Sequence, residues 1–554
     1  MIKNPWIEAL LITAFLGIYT LTALIGISAH KSLTEMDTVP YLKGALQIRE
    51  TGGVTSHIAN CFSGVYTEAT QHPLYLLLLS PWAERSFDFF VQAKKVTAII
   101  GFLFCIVFYA MVRKLKGATT ALVATLLLLF SATFTHMSTM VACEALFSLF
   151  FVLFILFYTL GVKNENYWYA AGAAASLAFL SKSLGILCIG IFVLSSLWMF
   201  RKNISSLLKR KSFWGFFAAF IVLALPLFAR NIKVYGSPLY SDSSCVLWLD
   251  RWHDYLRPDI ATHPPTLASY WKQHGLGGFA KILFEGILIR DPKMIVDGLK
   301  PFPFWTHPID TSKLAGFNQI TAPWQAWWAG FLCVTAGLSL WKNRKEPLGI
   351  VCVVSLVVFL VFVGWYSKIF PNETPTRLLY PILFLILLSA ADFFSIVSEK
   401  YRRLAVSVII VVFAVCLGVN FEWSKLDISK SYRMNTFAAT QILWAAKNAP
   451  TDKTVLLGYE AAAHTFYFPK IKSRVVSWPT LTTMPEMEAF LRENSIRHAV
   501  LDVAAVLYNL KLFGAYFIMG PETGLISRKP LPAFFKEIPS DAAPAKYMRF
   551  YEIT

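Results

Sequence analysis

Apolar runs separated by polar connections fill most of the first 420 residues. Many of these runs approach the roughly 20 residues that an α-helix needs to cross a bilayer core. The runs cover residues 6–28, 95–112, 118–134, 140–160, 167–181, 184–200, 212–229, 324–341, 348–364, 378–397 and 404–420. The pattern predicts a polytopic α-helical membrane protein with a transmembrane domain at 1–420.

The basic residues predict how these spans are oriented. With the N-terminus inside, the inner loops hold 15 Lys and Arg residues against three nearby acids. Because basic loops stay on the cytoplasmic side, the regions 29–94, 230–323 and the tail after 421 are predicted to face outward. No small-residue cleavage site follows the first run, so we expect an uncleaved span rather than a signal peptide.

Composition agrees with this class of protein. The chain is 56% hydrophobic and 15% charged, with a mean hydropathy of +0.54, whereas soluble domains are about a quarter charged. These values exclude a soluble enzyme. A net charge of +18 would suggest a nucleic-acid partner in a soluble protein. Here we attribute it to loops that face the head groups of anionic membrane lipids, and we predict no nucleic-acid partner.

The tail has a different pattern from the rest of the chain. Strand-like segments at 454–458, 474–477 and 498–503 alternate with helix-like segments at 461–466 and 484–493. This alternation predicts a small extracytoplasmic α/β domain at 421–554. The pattern leaves open whether this domain binds an acceptor or covers a site.

Charged side chains collect at the predicted outer ends of the spans. Charge inside a membrane costs about 2.5–3.5 kcal/mol on insertion scales, so such residues usually pair or line a cavity. Two acids, Glu35 and Asp37, follow the first span. The other candidates on this face are His72, Glu144, Lys182, Arg230 and Arg377.

Each candidate also has an ordinary structural explanation. The three basic side chains would serve as snorkelling anchors at helix ends, and Glu144 as an acid at a helix N-terminus. His72 and the two acids of the first loop would be solvated loop residues. The convergence of acidic and basic side chains on the predicted outer side of the membrane favours a functional site.

Four motifs occur in a fixed order along the chain. Glu35-Met36-Asp37 is an E-x-D acidic pair, and Gln71-His72-Pro73-Leu74-Tyr75 resembles a His/Lys-Pro-Pro-Leu-Tyr motif that lacks one proline. Residues 177–183 are similar to L-A-x-L-T-K-G, and residues 226–238 to P-x-x-x-R-N-x-x-x-F-G-x-P. The ordered set resembles the GT-C membrane glycosyltransferases, in particular the branch of protein O-mannosyltransferases and the aminoarabinose transferase of lipid A.

The resemblance implies the GT-C fold and an inverting glycosyltransferase. Such an enzyme would move a sugar from a polyprenyl-phosphate donor to a lipid, glycan or protein acceptor on the outer face of the membrane. Asp37 would accept the proton of the acceptor hydroxyl, with Glu35 in support. General-base catalysis of this kind accelerates a reaction by about 10²–10⁴-fold. Lys182, Arg230 and Arg377 would bind the donor phosphate.

The resemblance leaves the remaining roles less specific. His72, Glu144 and Tyr380 would orient the substrate or a metal, and a divalent cation such as Mg²⁺ or Mn²⁺ stays open. The amphipathic segment 41–48 is predicted to lie in the membrane interface beside the donor. Cys61 and Cys245 fall in outward loops, where an oxidising compartment would permit a bridge.

Two other classes of protein compete with the enzyme. One is a transporter or flippase of lipid-linked sugars, and the other is a non-catalytic membrane scaffold. A transporter predicts paired charges near the midplane and inverted repeats with broken helices, and the sequence shows neither. Short loops favour a bacterial or archaeal inner membrane.

Overall fold

The structure of the chain is a computed structural model. It describes residues 5–29, 37–251, 254–255, 260, 263–299, 311–369, 376–396, 436–448, 453–468, 474–520, 524–539 and 547–554. The predicted span at 404–420 and the predicted domain boundary at 421 lie outside these residues. Glu35 also lies outside them.

Helices dominate the described part of the chain up to residue 396. Their bounds are α1 Pro5–Ala29, α2 Thr38–Glu50, α3 Gly53–Ser63, α4 Pro73–Leu79, α5 Phe87–Lys116, α6 Ala118–Leu129, α7 Ala132–Met137, α8 Glu144–Gly161, α9 Tyr167–Ser181, α10 Leu187–Met199, α11 Ile204–Leu208, α12 Lys211–Tyr235, α13 Leu267–Glu285, α14 Asp291–Gly298, α15 Thr311–Lys342, α16 Pro347–Tyr366 and α17 Tyr380–Ile396. A π-helical segment, Gly286–Arg290, joins α13 to α14.

Five of the described helices are long and apolar enough to cross a membrane. They are Pro5–Ser28, Phe87–Lys116, Glu144–Gly161, Lys211–Tyr235 and Pro347–Ile369. The predicted polytopic helical architecture is confirmed. The predicted run 118–134, in contrast, is divided between two helices. The Ser131 hydroxyl accepts a hydrogen bond from the backbone amide of Phe134 and so caps the start of the second helix.

Small residues let the helices of the bundle approach closely. Helix α9 is rich in alanine and glycine, and a side chain at Gly172 would collide with the carbonyl oxygen of Phe216 on α12. Beside this contact, the rings of Phe192 and Phe216 stack with centroids 3.8 Å apart. In lipid, where apolar burial drives little association, such close packing holds helices together.

A polar cluster fastens the end of the bundle where Lys116 lies. The buried carboxylate of Asp392 on α17 accepts hydrogen bonds from Ser339 at 2.8 Å and Asn343 at 2.6 Å. The ammonium of Lys116, at the end of α5, lies 3.3 Å from the same carboxylate and 3.1 Å from that of Glu346. These contacts join α5, α15 and α17 to the connection before α16.

The C-terminal part contains a mixed sheet flanked by helices. Its helices are α18 Thr436–Asn448, α19 Tyr459–His464, α20 Met484–Glu493, α21 Val503–Tyr508 and α22 Leu510–Phe513. Its strands are β1 Thr454–Leu457, β2 Arg474–Ser477, β3 Ile496–Asp502, β4 Phe517–Gly520, β5 Gly524–Ser527, β6 Phe535–Glu537 and β7 Met548–Ile553. The predicted C-terminal α/β domain is confirmed.

The strand order of the main sheet is β2-β1-β3-β7-β6. The first three strands of this order are parallel, and β7 pairs antiparallel with both β3 and β6. A two-stranded antiparallel sheet, β4-β5, lies beside it.

Aromatic contacts tie this domain to the helical bundle. The ring of Tyr467, just after α19, stacks on Phe87 at the start of α5 with centroids 5.3 Å apart. The ring of Phe468 meets the same phenylalanine edge-on at 5.7 Å. The C-terminal domain is thereby fixed to the end of the bundle opposite to Lys116, which is also the end at which Asp37 lies.

Candidate active site

Asp37 lies at the N-terminal end of α2, where an acid usually caps the helix. Its side chain makes no capping hydrogen bond. Its carboxylate instead accepts a hydrogen bond from the guanidinium of Arg377 at 2.9 Å. Arg377 belongs to the short helical turn Thr376–Leu378, directly before α17. Both side chains remain partly exposed, so a substrate can reach the pair.

Glu144 and Lys182 form a second ion pair. Glu144 is the first residue of α8 and is buried, whereas Lys182 follows the last residue of α9 in an extended conformation that ends the helix. The ammonium of Lys182 donates to the Glu144 carboxylate at 2.7 Å. One Glu144 oxygen, Oε2, has no hydrogen-bond partner. The buried acid therefore keeps capacity for a further donor.

The two ion pairs belong to one electrostatic cluster. The pKa of the Arg377 guanidinium is raised, mainly by the charge of Asp37 and further by that of Glu144, while burial opposes the rise. Arg377 therefore stays cationic between two carboxylates. Since four separate chain segments supply these charges, the cluster exists only in the folded protein.

Two tyrosines of this cluster were missed by sequence reasoning. Tyr41 is buried, and its hydroxyl donates to the thiol sulfur of Cys143, the residue before Glu144, at 2.9 Å. Tyr366 ends α16 and lies within electrostatic range of Arg377. The position of Tyr41, four residues after Asp37 on one helix face, was the available signal.

The segment around Tyr41 differs from its predicted place in the membrane interface. Tyr41, Leu42, Ala45, Leu46 and Ile48 are buried inside the protein. The rings of Tyr41 and Tyr75 meet edge to face at 5.0 Å, so α2 packs on α4. The amphipathic pattern marked a face turned to protein rather than to lipid.

Arg230 lies in a different environment from the other two cations. It is buried in α12, and its guanidinium donates to the backbone carbonyl of Glu68. It also lies over the ring of Tyr66 at 5.2 Å and that of Tyr235 at 5.7 Å. The structure thus brings Lys182 and Arg377 together with the acids, and uses Arg230 to hold the loop before α4.

His72 precedes α4 and packs edge-on against the ring of Phe179 at 4.9 Å. Burial, together with a smaller effect of the charge of Arg230, lowers the pKa of its imidazole to about 4, against a hydrogen bond with the backbone of Phe179 that raises it. The side chain is therefore neutral at pH 7. Its Nδ1 atom has no hydrogen-bond partner, so His72 can accept one hydrogen bond from a substrate.

Tyr380 begins α17 and is buried within electrostatic range of Glu144. Ser138, Tyr19 and Cys105 act on its hydroxyl more strongly than Glu144 does. Cys61 and Cys245 are free thiols.

The acids of the cluster do not form a metal-binding group within the described residues. No three His, Cys, Asp or Glu side chains come together in this part of the chain. Asp37 and Glu144 each have a cationic partner, Arg377 and Lys182 respectively. Because Glu35, the partner of Asp37 in the predicted acidic pair, lies outside the described residues, a divalent cation such as Mg²⁺ or Mn²⁺ stays a prediction.

Comparisons with known proteins agree with this architecture. Residues 90–229 match the sequence model of the dolichyl-phosphate-mannose-protein mannosyltransferase family. No curated protein matches the chain. The ArnT protein from Cupriavidus metallidurans, solved bound to undecaprenyl phosphate, is 12% identical with a TM-score of 0.54. That match covers 99% of this chain and 98% of the other. The chain has the GT-C fold.

Two archaeal structures share the fold. The Archaeoglobus fulgidus oligosaccharyltransferase, in complex with Zn and sulfate, is 12% identical with a TM-score of 0.53, over 92% of this chain and 72% of the other. The oligosaccharyltransferase AglB from the same organism, with an inhibitory peptide and a dolichol-phosphate, is 12% identical with a TM-score of 0.52, over 94% and 75%. The predicted resemblance to the GT-C branch is confirmed, and this GT-C chain is an integral membrane protein.

Proposed function

We propose that this GT-C protein is an inverting glycosyltransferase that uses a polyprenyl-phosphate sugar as its donor. The observation that carries the proposal is the coupling of two ion pairs, Asp37–Arg377 and Glu144–Lys182, at one end of the bundle. The family match and the lipid phosphates bound to two proteins of the same fold support the donor class. The acceptor would be a lipid, a glycan or a protein.

Asp37 is the proposed general base. Its partly exposed carboxylate accepts the proton of the acceptor hydroxyl while the acceptor oxygen attacks the anomeric carbon from the face opposite to the phosphate. Arg377 orients this carboxylate by donating a hydrogen bond to it. The configuration at the anomeric carbon inverts, because the bond to the acceptor forms on one side as the bond to the phosphate oxygen breaks on the other.

Lys182 and Arg377 are the proposed partners of the leaving phosphate. As the bond between the anomeric carbon and the phosphate oxygen breaks, its electron pair remains on the phosphate. Fixed cations stabilise this charge best where water is excluded, and Lys182 lies against a buried carboxylate. Arg230 would support the same step by holding the loop before α4, and Glu144, His72 and Tyr380 would orient the substrate.

The proposed location of the reaction is the outer face of an inner membrane, in a bacterium or an archaeon. The asymmetry of the basic loops supports this orientation, since the basic residues collect at the end opposite to Asp37. The C-terminal domain, at the Asp37 end, would then be extracytoplasmic.

The test uses the purified chain in nanodiscs with a polyprenyl-phosphate sugar and a mixture of candidate acceptors. We expect Asp37→Asn to bind the donor lipid and to lose sugar transfer by about 10²-fold or more. Asp88→Asn is the matched control, because Asp88 is an exposed acid at the same end of the bundle. Full turnover in Asp37→Asn would disprove the assigned base. Lipid translocation without transfer by the wild type would favour the flippase.

A further inference from the structure

The segment from α13 to the π-helix exposes a group of large apolar side chains. Leu276, Phe284, Leu288 and Ile289 are each between 63% and 69% exposed. We call these four residues the apolar ridge. Gly275, with a φ of 63°, breaks α13 just before the ridge, so the helix changes direction where its apolar face begins.

The opposite side of the segment is fixed to the end of α16. The ring of Phe279 stacks on Trp365 with centroids 4.2 Å apart. The guanidinium of Arg290 donates to the carbonyl of Gly364 at 3.0 Å and to the hydroxyl of Ser367 at 2.9 Å. A side chain at Gly286 would collide with the backbone of Gly364. The ridge is thus held rigidly at one level of α16.

The length of α16 sets that level relative to the membrane. The helix starts at Pro347, directly after a basic turn that contains Arg344 and Lys345. Gly364 lies 17 residues further on, which at 1.5 Å per residue is about 26 Å along the helix. Since a hydrocarbon core is about 30 Å thick, Gly364 lies near the opposite boundary of that core.

The exposed side of α16 leads along the helix to the level at which the segment that carries the apolar ridge packs. Val357 and Val361 on α16 are exposed, and they precede the level at which the π-helix packs. Trp271, Lys272 and Lys281 of the same helix are also exposed, and the Lys281 ammonium lies 3.9 Å from the Glu285 carboxylate. Indole rings and lysines are typical of the head-group level of a bilayer.

We propose that the ridge binds the lipid bilayer, with Leu276, Phe284, Leu288 and Ile289 inserted at the boundary between acyl chains and head groups. Lys272 and Lys281 would face lipid phosphates. A bilayer is the partner that fits, because the ridge continues the lipid-facing surface of a span at the depth of that boundary. A folded protein partner would have to enter the lipid to reach it.

Insertion of the ridge would place the membrane surface next to the active site. The Lys368 ammonium lies over the rings of Trp365 and Tyr270, at 3.6 and 3.9 Å, and donates to the carbonyl of Leu247 at 2.9 Å. Between Trp365 and Lys368 in the chain lies Tyr366, which is within electrostatic range of Arg377. The end of α16 therefore both contacts α13 and lies within electrostatic range of Arg377.

Depth-dependent quenching in nanodiscs tests the proposal without any assay of activity. A fluorescent amino acid is placed by nonsense suppression at position 284 or 288 of the full chain. The quenchers are a phosphatidylcholine with a nitroxide on its acyl chain and aqueous iodide. Val361 serves as the membrane reference, and Ile526, an exposed apolar residue of the C-terminal domain, as the aqueous reference.

We expect the nitroxide lipid to quench positions 284 and 288 about threefold more strongly than position 526, and comparably to position 361. Iodide should give the reverse order. Quenching by iodide but not by the lipid would overturn the proposal and leave the ridge in water. Protection from both quenchers would also overturn it, because a second copy or another protein would then cover the ridge.

Discussion

Arg377 donates a hydrogen bond to the carboxylate of Asp37 across 2.9 Å, although 340 positions separate the two residues in the chain. The pair joins the first loop of the bundle to the turn before α17. The charge of Glu144 also acts on Arg377.

Glu144 and Lys182 should be strongly coupled in stability. Removing one partner of a buried ion pair leaves an uncompensated charge, at a cost of about 3–5 kcal/mol. We expect Lys182→Met and Glu144→Leu each to lower the melting temperature of the detergent-solubilised protein more than the double variant does. A double-mutant cycle on thermal unfolding measures this coupling. Additive effects of the two substitutions would show that the pair is not formed.

Arg377 and Arg230 should differ in what their loss affects. Arg377→Met should lower kcat by about 10²–10³-fold, as loss of a donor to a charged transition state does, with little change in stability because the side chain is partly exposed. Arg230→Met should instead lower the melting temperature, because the carbonyl of Glu68 and two aromatic rings lose their cation.

Lys233→Met is the matched control for that comparison, since Lys233 is an exposed cation on the same helix. It should change neither quantity. If Arg230→Met kept wild-type stability and lost as much kcat as Arg377→Met, Arg230 would contact the phosphate, as the sequence motif predicts.

Asp291 should make the protein less stable as the pH rises. Its carboxyl is fully buried with no hydrogen-bond partner for either oxygen, and burial raises its pKa from 3.8 to about 7, against the charge of Arg290. Between those values the folded state holds a proton that the unfolded state has released. The stabilisation is complete below pH 4 and is lost as the pH rises through about 7.

Asp291→Asn removes this titration. The quantity to compare is the melting temperature of the variant minus that of the wild type. We expect this difference to be larger at pH 8 than at pH 5, as measured by thermal unfolding in nanodiscs. Asp297→Asn, on the same helix, is the control and should leave the pH profile of the wild type unchanged. A pH profile that stayed the same in Asp291→Asn would rule out Asp291 as the titrating group.

Much of the architecture follows from local pattern. Apolar runs predict helices because the backbone must satisfy its own hydrogen bonds in lipid, and the alternation of short segments predicted the strands at Thr454–Leu457 and Arg474–Ser477. The break at Ser131 was missed, since a hydroxyl inside an apolar run gives little change in hydropathy. Its capping of Phe134 appears only in the backbone geometry.

The sequence predicted which residues of the candidate site lie together, but not which of them pair. Asp37, Glu144, Lys182 and Arg377 were grouped because each lies near the end of a helix. Which cation meets which acid depends on the rotation of each helix about its axis, and hydropathy does not determine that rotation. For the same reason Arg230 was grouped with the other cations, although its helix turns it towards the carbonyl of Glu68.

The cluster around Asp392 has a mechanical consequence. Lys116, Ser339 and Asn343 all bind one carboxylate at the end of the bundle far from Asp37. Helices that are fastened at one end can separate only by tilting about that end. A small tilt therefore displaces the opposite end of each helix the most. We expect any opening that admits a bulky lipid to hinge about Asp392, with the rings of Phe87 and Tyr467 moving together at the free end.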